Sequence, residues 1–128
     1  MNSEVSFLKK NLLAFKAAFN GIAIALRSER NLRFHFFAVA VVSISGFLIG
    51  MTNLEWLIIL ILFAIVISME MINTAIERLC DLIQPEEDTQ IGKIKDISAG
   101  AVLWTCLIAV AAALVLFVPK LLKFTFTF

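Results

Sequence analysis

Three long apolar segments dominate the order of hydrophobic and polar positions along the chain. The first contains one histidine, the second one charged residue and the third none, and the segments occupy residues 34–50, 56–76 and 97–119. A membrane-spanning helix needs about 20 predominantly apolar residues, and about 17 is the lower limit. The first segment is at this limit, but Leu32 and the aliphatic stem of Arg33 can extend it. The pattern predicts three spanning helices, at about residues 32–50, 54–83 and 94–118.

A fourth apolar pattern, before these segments, has the spacing of one helix face. Its large apolar residues follow at intervals of 4, 3, 4, 3 and 4 and are Leu8, Leu12, Phe15, Phe19, Ile22 and Leu26. On a helix they lie within about 80° of arc. The polar flank, about 100° away, consists of Lys9, Lys16, Asn20 and Arg27. This pattern is typical of a helix in the membrane surface. We predict one over about residues 4–29; the alternative is a helix that packs on a soluble partner.

The composition indicates an integral membrane protein. Hydrophobic residues make up 61% of the 128-residue chain, the mean hydropathy is +0.96, and only 16% of residues are charged. Soluble domains are nearer half apolar, and a net charge of +1 provides no basic field for nucleic acid. The two cysteines, Cys80 and Cys106, have no metal-ligand spacing and are interpreted as inert thiols. The predicted fold class is an all-α integral membrane helical bundle, with residues 1–128 as a single domain.

The basic residues predict the orientation in the membrane. Those that precede the first span are Lys9, Lys10, Lys16, Arg27, Arg30 and Arg33. The first loop, residues 51–55, has none, whereas the second loop contains Lys93 and Lys95. Because basic residues favour the cytoplasmic side, we expect the N-terminal helix and the second loop there. We therefore predict a multi-pass protein of the inner (plasma) membrane with a cytoplasmic site, and an outward tail whose aromatic residues, 124–128, lie at the interface.

Acidic residues inside the second span indicate function. A charged side chain at the centre of a spanning helix costs about 2.5–3.5 kcal/mol on insertion scales, and Glu70 has apolar sequence on both sides. Asn73, Glu77 and Asp81 follow it within about 80° of arc on one helix face. A stripe of carboxylates cannot face lipid, so it is expected to face protein, a cation or water.

Further charged residues are expected at the same cytoplasmic level. Glu29 ends the surface helix, while Lys95 and Asp96 open the third span. Magnesium prefers one or two protein carboxylates with waters and phosphate oxygens, and lysine binds phosphate as a point charge. These residues suit Mg²⁺ and phosphate. The alternative is that Glu70, Glu77, Lys95 and Arg78 only form buried ion pairs.

Other kinds of site fit poorly. The chain has no glycine-rich phosphate loop, and a di-iron bundle would need Glu-x-x-His pairs, whereas His35 is the only histidine. We interpret His35 as an interfacial residue. A small proton-coupled transporter using Glu70 remains an alternative, although it does not explain the polar residues gathered toward one side. A scaffold without chemistry explains none of them.

Two motifs resemble the small prokaryotic diacylglycerol kinase family. The run Glu70-Met-Ile-Asn73-Thr74-Ala75-Ile76-Glu77 resembles the family signature E-x-x-N-(S/T)-A-I-E, and Lys95-Asp96 followed by Ser98-Ala99-Gly100 resembles its A-K-D motif. Gly21 and Glu29 have the family spacing, and the resemblance covers about residues 8–118. Glu29-Arg30-Asn31, with Arg33 and His35, looks more like the undecaprenol kinase branch.

The resemblance implies a homotrimeric three-helix lipid kinase with a composite site between subunits. Such an enzyme transfers the γ-phosphoryl of ATP to the hydroxyl of diacylglycerol or undecaprenol. By the match, Glu70 is the catalytic base, Asn73 orients the reacting groups, and the Mg²⁺ ligands are Glu29 and Glu77. The nucleotide-binding residues implied are Lys10, Glu29, Glu77, Glu86, Asp88, Lys95 and Asp96. Those implied for the lipid substrate are Glu70 and Ala99.

Overall fold

The computed structural model describes residues 2–125, with side chains for residues 7–123. Within this part the chain is all α-helix, without strands, and its four helices are α1 (Asn2–Ser28), α2 (Arg30–Leu48), α3 (Asn53–Ile83) and α4 (Thr89–Thr125). Three of them are long and apolar enough to cross a membrane, over Arg30–Leu48, Asn53–Ile83 and Thr89–Lys123. The predicted fold class is confirmed. The predicted aromatic patch at residues 124–128 lies outside the described side chains.

Helix α3 is the centre of the bundle. It packs mainly on α4 and also on α2, while α1 reaches both α2 and α3. The buried apolar side chains of the described part are Ala25, Leu32, Ile59, Val66, Cys80 and Val102. With 31 residues, α3 is about 46 Å long, which exceeds an apolar membrane core of about 30 Å. Helix α3 is therefore longer than an upright span of the core requires.

Most of the apolar surface of the helices is exposed in the single chain. The apolar stripe of α1 is the clearest case, because Leu8, Leu12, Phe15 and Phe19 are each between 67% and 71% exposed. Neither α2 nor α4 buries more than a small part of its apolar window. These faces are uncovered in the single chain and are suited to contact with membrane lipid or another protein chain.

A single extended residue separates α1 from α2. Glu29 has φ −101° and ψ 118°, which ends one helix and starts the next. One guanidinium nitrogen of Arg33 donates to the carbonyl oxygens of Leu26 and Arg27, at 3.1 and 3.0 Å. Because the last carbonyls of a helix have no partner within it, Arg33 stabilises the end of α1 and fixes the bend.

The opposite end of the bundle is closed by an ion pair. Gly50, with φ +67°, ends α2 in a conformation that favours glycine, and Thr52 and Glu55 form a capping box at the start of α3. Lys120 of α4 contacts Glu55 at 2.9 Å and donates to the carbonyl of Gly50 at 3.3 Å. The side chain of Lys120 thereby ties α4 to the loop between α2 and α3.

Candidate active site

Glu70 lies deep in the bundle and is only 3% exposed. Polar residues of α2 and α3 surround it: the side chain of Asn31 is close enough to its carboxyl for a polar contact, and His35 and Glu77 are close enough to interact with it electrostatically. Glu29 is the fourth such neighbour. Two polar residues at the start of α2 therefore lie near the buried carboxyl of α3, and the sequence analysis assigned neither of them to the site.

Asn73 and Glu77 continue the polar stripe of α3 toward the rim. Asn73 is 7% exposed, and its amide nitrogen donates to Glu77 Oε1 at 2.9 Å across one helical turn. The Oδ1 atom of Asn73 is buried and has no hydrogen-bond partner among the described residues. Since buried polar atoms are nearly always paired, this oxygen is available to a ligand.

Glu29 is placed beside α3 by the bend between α1 and α2. Its Oε1 atom accepts from Ser28 at 3.0 Å and lies 3.4 Å from a guanidinium nitrogen of Arg78. Arg78 also donates to the hydroxyl of Ser28. The side chains of Arg78 and Glu29 are 47% and 30% exposed, so solvent screens this pair.

Lys95 does not contact Glu70 or Glu77. Its ammonium forms an ion pair with Asp81, which lies one turn beyond Glu77 on α3. Of the three ion pairs between described side chains, none includes Glu70 or Glu77. The ion-pair alternative therefore describes Arg78 and Lys95 but leaves the two deeper carboxylates without a cation.

The loop between α3 and α4 surrounds a polar cavity of about 500 Å³. Glu86, Asp88 and Lys95 line it, together with Asp81. Asp88 also has a local task, because its Oδ1 atom accepts from the backbone nitrogens of residues 90 and 91 at 2.8 and 3.0 Å. It caps the start of α4, and one carboxylate oxygen remains for other contacts.

The remaining predicted residues lie apart from this cluster. Asp96 and Ala99 are exposed at the start of α4. Lys10 is exposed on α1, and the helix that continues from it to Ser28 extends about 27 Å. One chain therefore does not bring Lys10 to the carboxylate of Glu29.

The chemistry that this arrangement allows is proton transfer and cation binding. No three His, Cys, Asp or Glu side chains cluster as metal ligands in the part of the chain that is described. Magnesium, however, needs only one or two protein carboxylates. Glu29 and Glu77 can supply two, and the deeper Glu70 can accept a proton.

An apolar groove of about 240 Å³ runs along α2, α3 and α4 beside Glu70. His35 and Cys106 line one end, and both interact electrostatically with the carboxyl of Glu70. Sequence reasoning missed the roles of Asn31 and His35 beside Glu70. The available signal was their spacing of four residues, which places two polar side chains on one face at the start of an apolar helix.

Comparison with known proteins shows the family of the chain. A family model described as prokaryotic diacylglycerol kinase matches residues 16–117. Undecaprenol kinase of Bacillus subtilis (strain 168) is 39% identical over 114 residues, which cover 89% of this chain and 93% of that protein. Diacylglycerol kinases of Synechocystis sp. and Sinorhizobium sp. are 31% and 32% identical over 88% and 77% of this chain, and 65% and 71% of their own lengths. The chain therefore belongs to the prokaryotic diacylglycerol kinase family, and it is a lipid kinase.

Proposed function

We propose that this membrane protein transfers the γ-phosphoryl group of ATP to the hydroxyl of a membrane lipid, either undecaprenol or diacylglycerol. The observation that carries the proposal is the buried carboxyl of Glu70, which has no cation partner among the described residues and lies between an apolar groove and a polar rim. A proton-coupled transporter would also use such a carboxyl, but it does not account for the family match.

In the proposed reaction the lipid hydroxyl oxygen attacks the γ-phosphorus, and a new P–O bond forms as the bond to the β-phosphate oxygen breaks. The lipid phosphate and ADP are the products, and the hydroxyl proton passes to the Glu70 carboxylate. Asn73, which donates to Glu77 at 2.9 Å, has its Oδ1 atom free to orient a reacting group. Phosphoryl transfer depends mainly on positioning and charge stabilisation. The proposed roles of Glu70 and Asn73, proton acceptance and orientation, are of the kind that this reaction needs from a protein.

A magnesium ion fits the residues present. Glu29 and Glu77 provide carboxylates from two elements, and both interact with Glu70. The unpaired, buried Oδ1 atom of Asn73 provides a further oxygen beside Glu77. Oxygen donors of this kind are those that magnesium prefers. When bound, the ion would neutralise charge on the phosphate oxygens of ATP.

We assign nucleotide binding to the cytoplasmic rim. The polar cavity between α3 and α4 contains Glu86 and Asp88, and Lys95 lines its edge, where a lysine suits a phosphate. Glu29, Glu77 and Asp96 complete the proposed set near this level. Lys10 can join it only from a neighbouring chain or after α1 moves, because it lies about 27 Å along α1 from the bend.

Undecaprenol is the first candidate for the acceptor. The undecaprenol kinase of Bacillus subtilis matches nearly its whole length to this chain. The groove beside Glu70 is lined almost wholly by apolar side chains, which suits a long hydrocarbon chain. We also propose that Ala99, one turn beyond Lys95 on α4, contacts the lipid substrate.

Assembly and location complete the proposal: residues 1–128 act as one domain, in a homotrimer in the inner (plasma) membrane, with the site toward the cytoplasm. The extensive exposed apolar faces of α2, α3 and α4 support association within the membrane. The basic residues near the N-terminus support the orientation.

A transfer assay tests the proposal. The chain is purified in detergent and incubated with Mg²⁺, ATP labelled at the γ-phosphate, and either undecaprenol or diacylglycerol. We expect a labelled lipid phosphate, no labelled lipid when ATP carries its label at the α-phosphate, and loss of product with a magnesium chelator. Failure to label either lipid under these conditions would refute the proposed activity.

A further inference from the structure

Asn31 and His35 lie on one face at the start of α2, toward the carboxyl of Glu70. They are four residues apart, which on a helix places their side chains in the same row. The side chain of Asn31 is close enough to the carboxyl of Glu70 for a polar contact, and the imidazole of His35 interacts with that carboxyl electrostatically. The proposed chemistry, as derived from the motifs, uses neither residue.

His35 also forms the polar end of the apolar groove. Each of the three helices contributes about eight residues of length to this groove, so it runs for about 10 Å. Its direction is away from the cytoplasmic rim, from His35 toward Val42 on α2. Among the lining side chains, His35 is the only one with a nitrogen or oxygen atom, and Cys106 has the only other heteroatom.

The ring of His35 is held by packing rather than by hydrogen bonds. Phe34 contacts it edge-on, with 6.1 Å between ring centroids and an interplanar angle of 71°. No hydrogen bond joins either ring nitrogen to another described residue. A half-buried imidazole whose nitrogens are unpaired, beside an apolar groove, leaves a donor or acceptor for a molecule that enters the groove.

We infer that Asn31 and His35 position the two partners of the proton transfer. Asn31 orients the carboxyl of Glu70, and a ring nitrogen of His35 hydrogen-bonds to the hydroxyl of a lipid alcohol whose chain occupies the groove. This inference rests on the proposed function. It also makes His35 a determinant of lipid specificity. One polar residue at the end of an apolar groove is complementary to a lipid with a single hydrocarbon chain that ends in a hydroxyl. The ester oxygens of a diacylglycerol would instead meet apolar side chains.

Three variants and one control test the inference in the full-length protein. His35→Phe keeps a ring of similar size without polar atoms, His35→Gln keeps hydrogen bonding, and Asn31→Ala removes the partner of Glu70. Phe37→Leu is the matched control, since Phe37 lies on the same helix, is 66% exposed and does not line the groove. For each, KM and kcat are measured with undecaprenol, diacylglycerol and ATP, and the thermal midpoint and oligomer size are recorded.

We expect His35→Phe to raise the KM for undecaprenol roughly tenfold or more, as for a lost hydrogen bond to a ligand. The KM for ATP should change by less than about twofold, and the ratio of kcat/KM for undecaprenol to that for diacylglycerol should fall. His35→Gln should recover most of the loss, because an amide can again pair with the hydroxyl. Asn31→Ala should lower kcat with little change in either KM. Phe37→Leu should behave as wild type.

The outcomes separate this inference from the proposed function. If wild type labels neither lipid, both fail. If wild type is active but His35→Phe, folded and of normal oligomer size, keeps the wild-type KM and lipid ratio, only the role of His35 is overturned. Equal losses in His35→Phe and His35→Gln with a shifted thermal midpoint would show a packing role and would also overturn it.

Discussion

Replacing Glu70 with glutamine changes the proposed base by one atom and leaves its shape intact. Glu70 is 3% exposed and has no cation within 4.0 Å in the part of the chain that is described. The glutamine keeps the size of the glutamate side chain beside Asn31, and the variant buries no charge. Burial of an unpaired charge is unfavourable, so the thermal midpoint of Glu70→Gln should not fall.

The effect on turnover should be large. A positioned general base contributes about 10²–10⁴-fold, which corresponds to about 2.7–5.4 kcal/mol in the activation free energy. Because glutamine cannot take a proton, kcat should fall by a factor in this range. Mg-ATP contacts are proposed for Glu29 and for Glu77, which lies two turns from Glu70 on α3, so the Kd for nucleotide should change by less than about threefold.

The measurement combines transfer of labelled γ-phosphate with equilibrium dialysis of nucleotide. Glu55→Gln is the matched control, because it makes the same change on the same helix at the end that Lys120 and Thr52 occupy. Its kcat should stay within about twofold of wild type. A Glu70→Gln enzyme with wild-type kcat would show that another group takes the proton. Loss of nucleotide binding together with turnover would place Glu70 at the phosphates instead of the lipid hydroxyl.

Three other changes test separate parts of the structure. Glu77→Gln should raise the Mg²⁺ concentration needed for half-maximal transfer about tenfold or abolish nucleotide binding, as titration of activity with Mg²⁺ would reveal; an unchanged requirement would contradict the ligand assignment. Lys120→Met removes the ion pair with Glu55 at 2.9 Å and should lower the thermal midpoint, which unfolding in mixed micelles measures; no loss of stability would mean the pair contributes nothing. Gly46→Val should destabilise the α2–α3 contact by about 1–3 kcal/mol, because even a Cβ at this position comes within 3.0 Å of the Trp56 ring. Gly100→Val, where nothing lies within 4 Å, is the control, and equal effects would refute the packing argument.

The hydrophobic pattern was sufficient to predict the helices because a membrane imposes one strong constraint. Backbone groups in hydrocarbon must be paired internally, so an apolar stretch of sufficient length forms a helix whatever its side chains contact. The sequence also predicted a functional acid in the second stretch, because a charged residue such as Glu70 is costly to insert into a membrane. Its burial in the structure agrees with the argument that it cannot face lipid.

The sequence did not predict which residues of different helices contact each other. The periodicity placed Asp81 on the stripe with Glu70, but only the packing of α3 on α4 shows that it pairs with Lys95. The pairing of Arg78 with Glu29 depends likewise on the bend between α1 and α2. His35 was interpreted as an interfacial residue because its neighbour Glu70, on α3, is 35 positions away in sequence. No local sequence pattern predicts such a contact.

The spacing along α3 explains how three polar residues of one helix can have different roles in one phosphoryl transfer. Glu70 and Glu77 are seven residues apart, about 10 Å along the axis, which is too far for both to contact the same atom. Asn73 lies between them, about 4.5 Å from the level of Glu70. On the proposed function, the phosphoryl group must meet the lipid hydroxyl beside Glu70 while its magnesium stays near Glu77. The transferred phosphorus therefore belongs at the level of Asn73. Asn73→Leu should consequently reduce kcat more than it weakens nucleotide or lipid binding, whereas a larger loss of nucleotide affinity than of kcat would place the phosphates elsewhere.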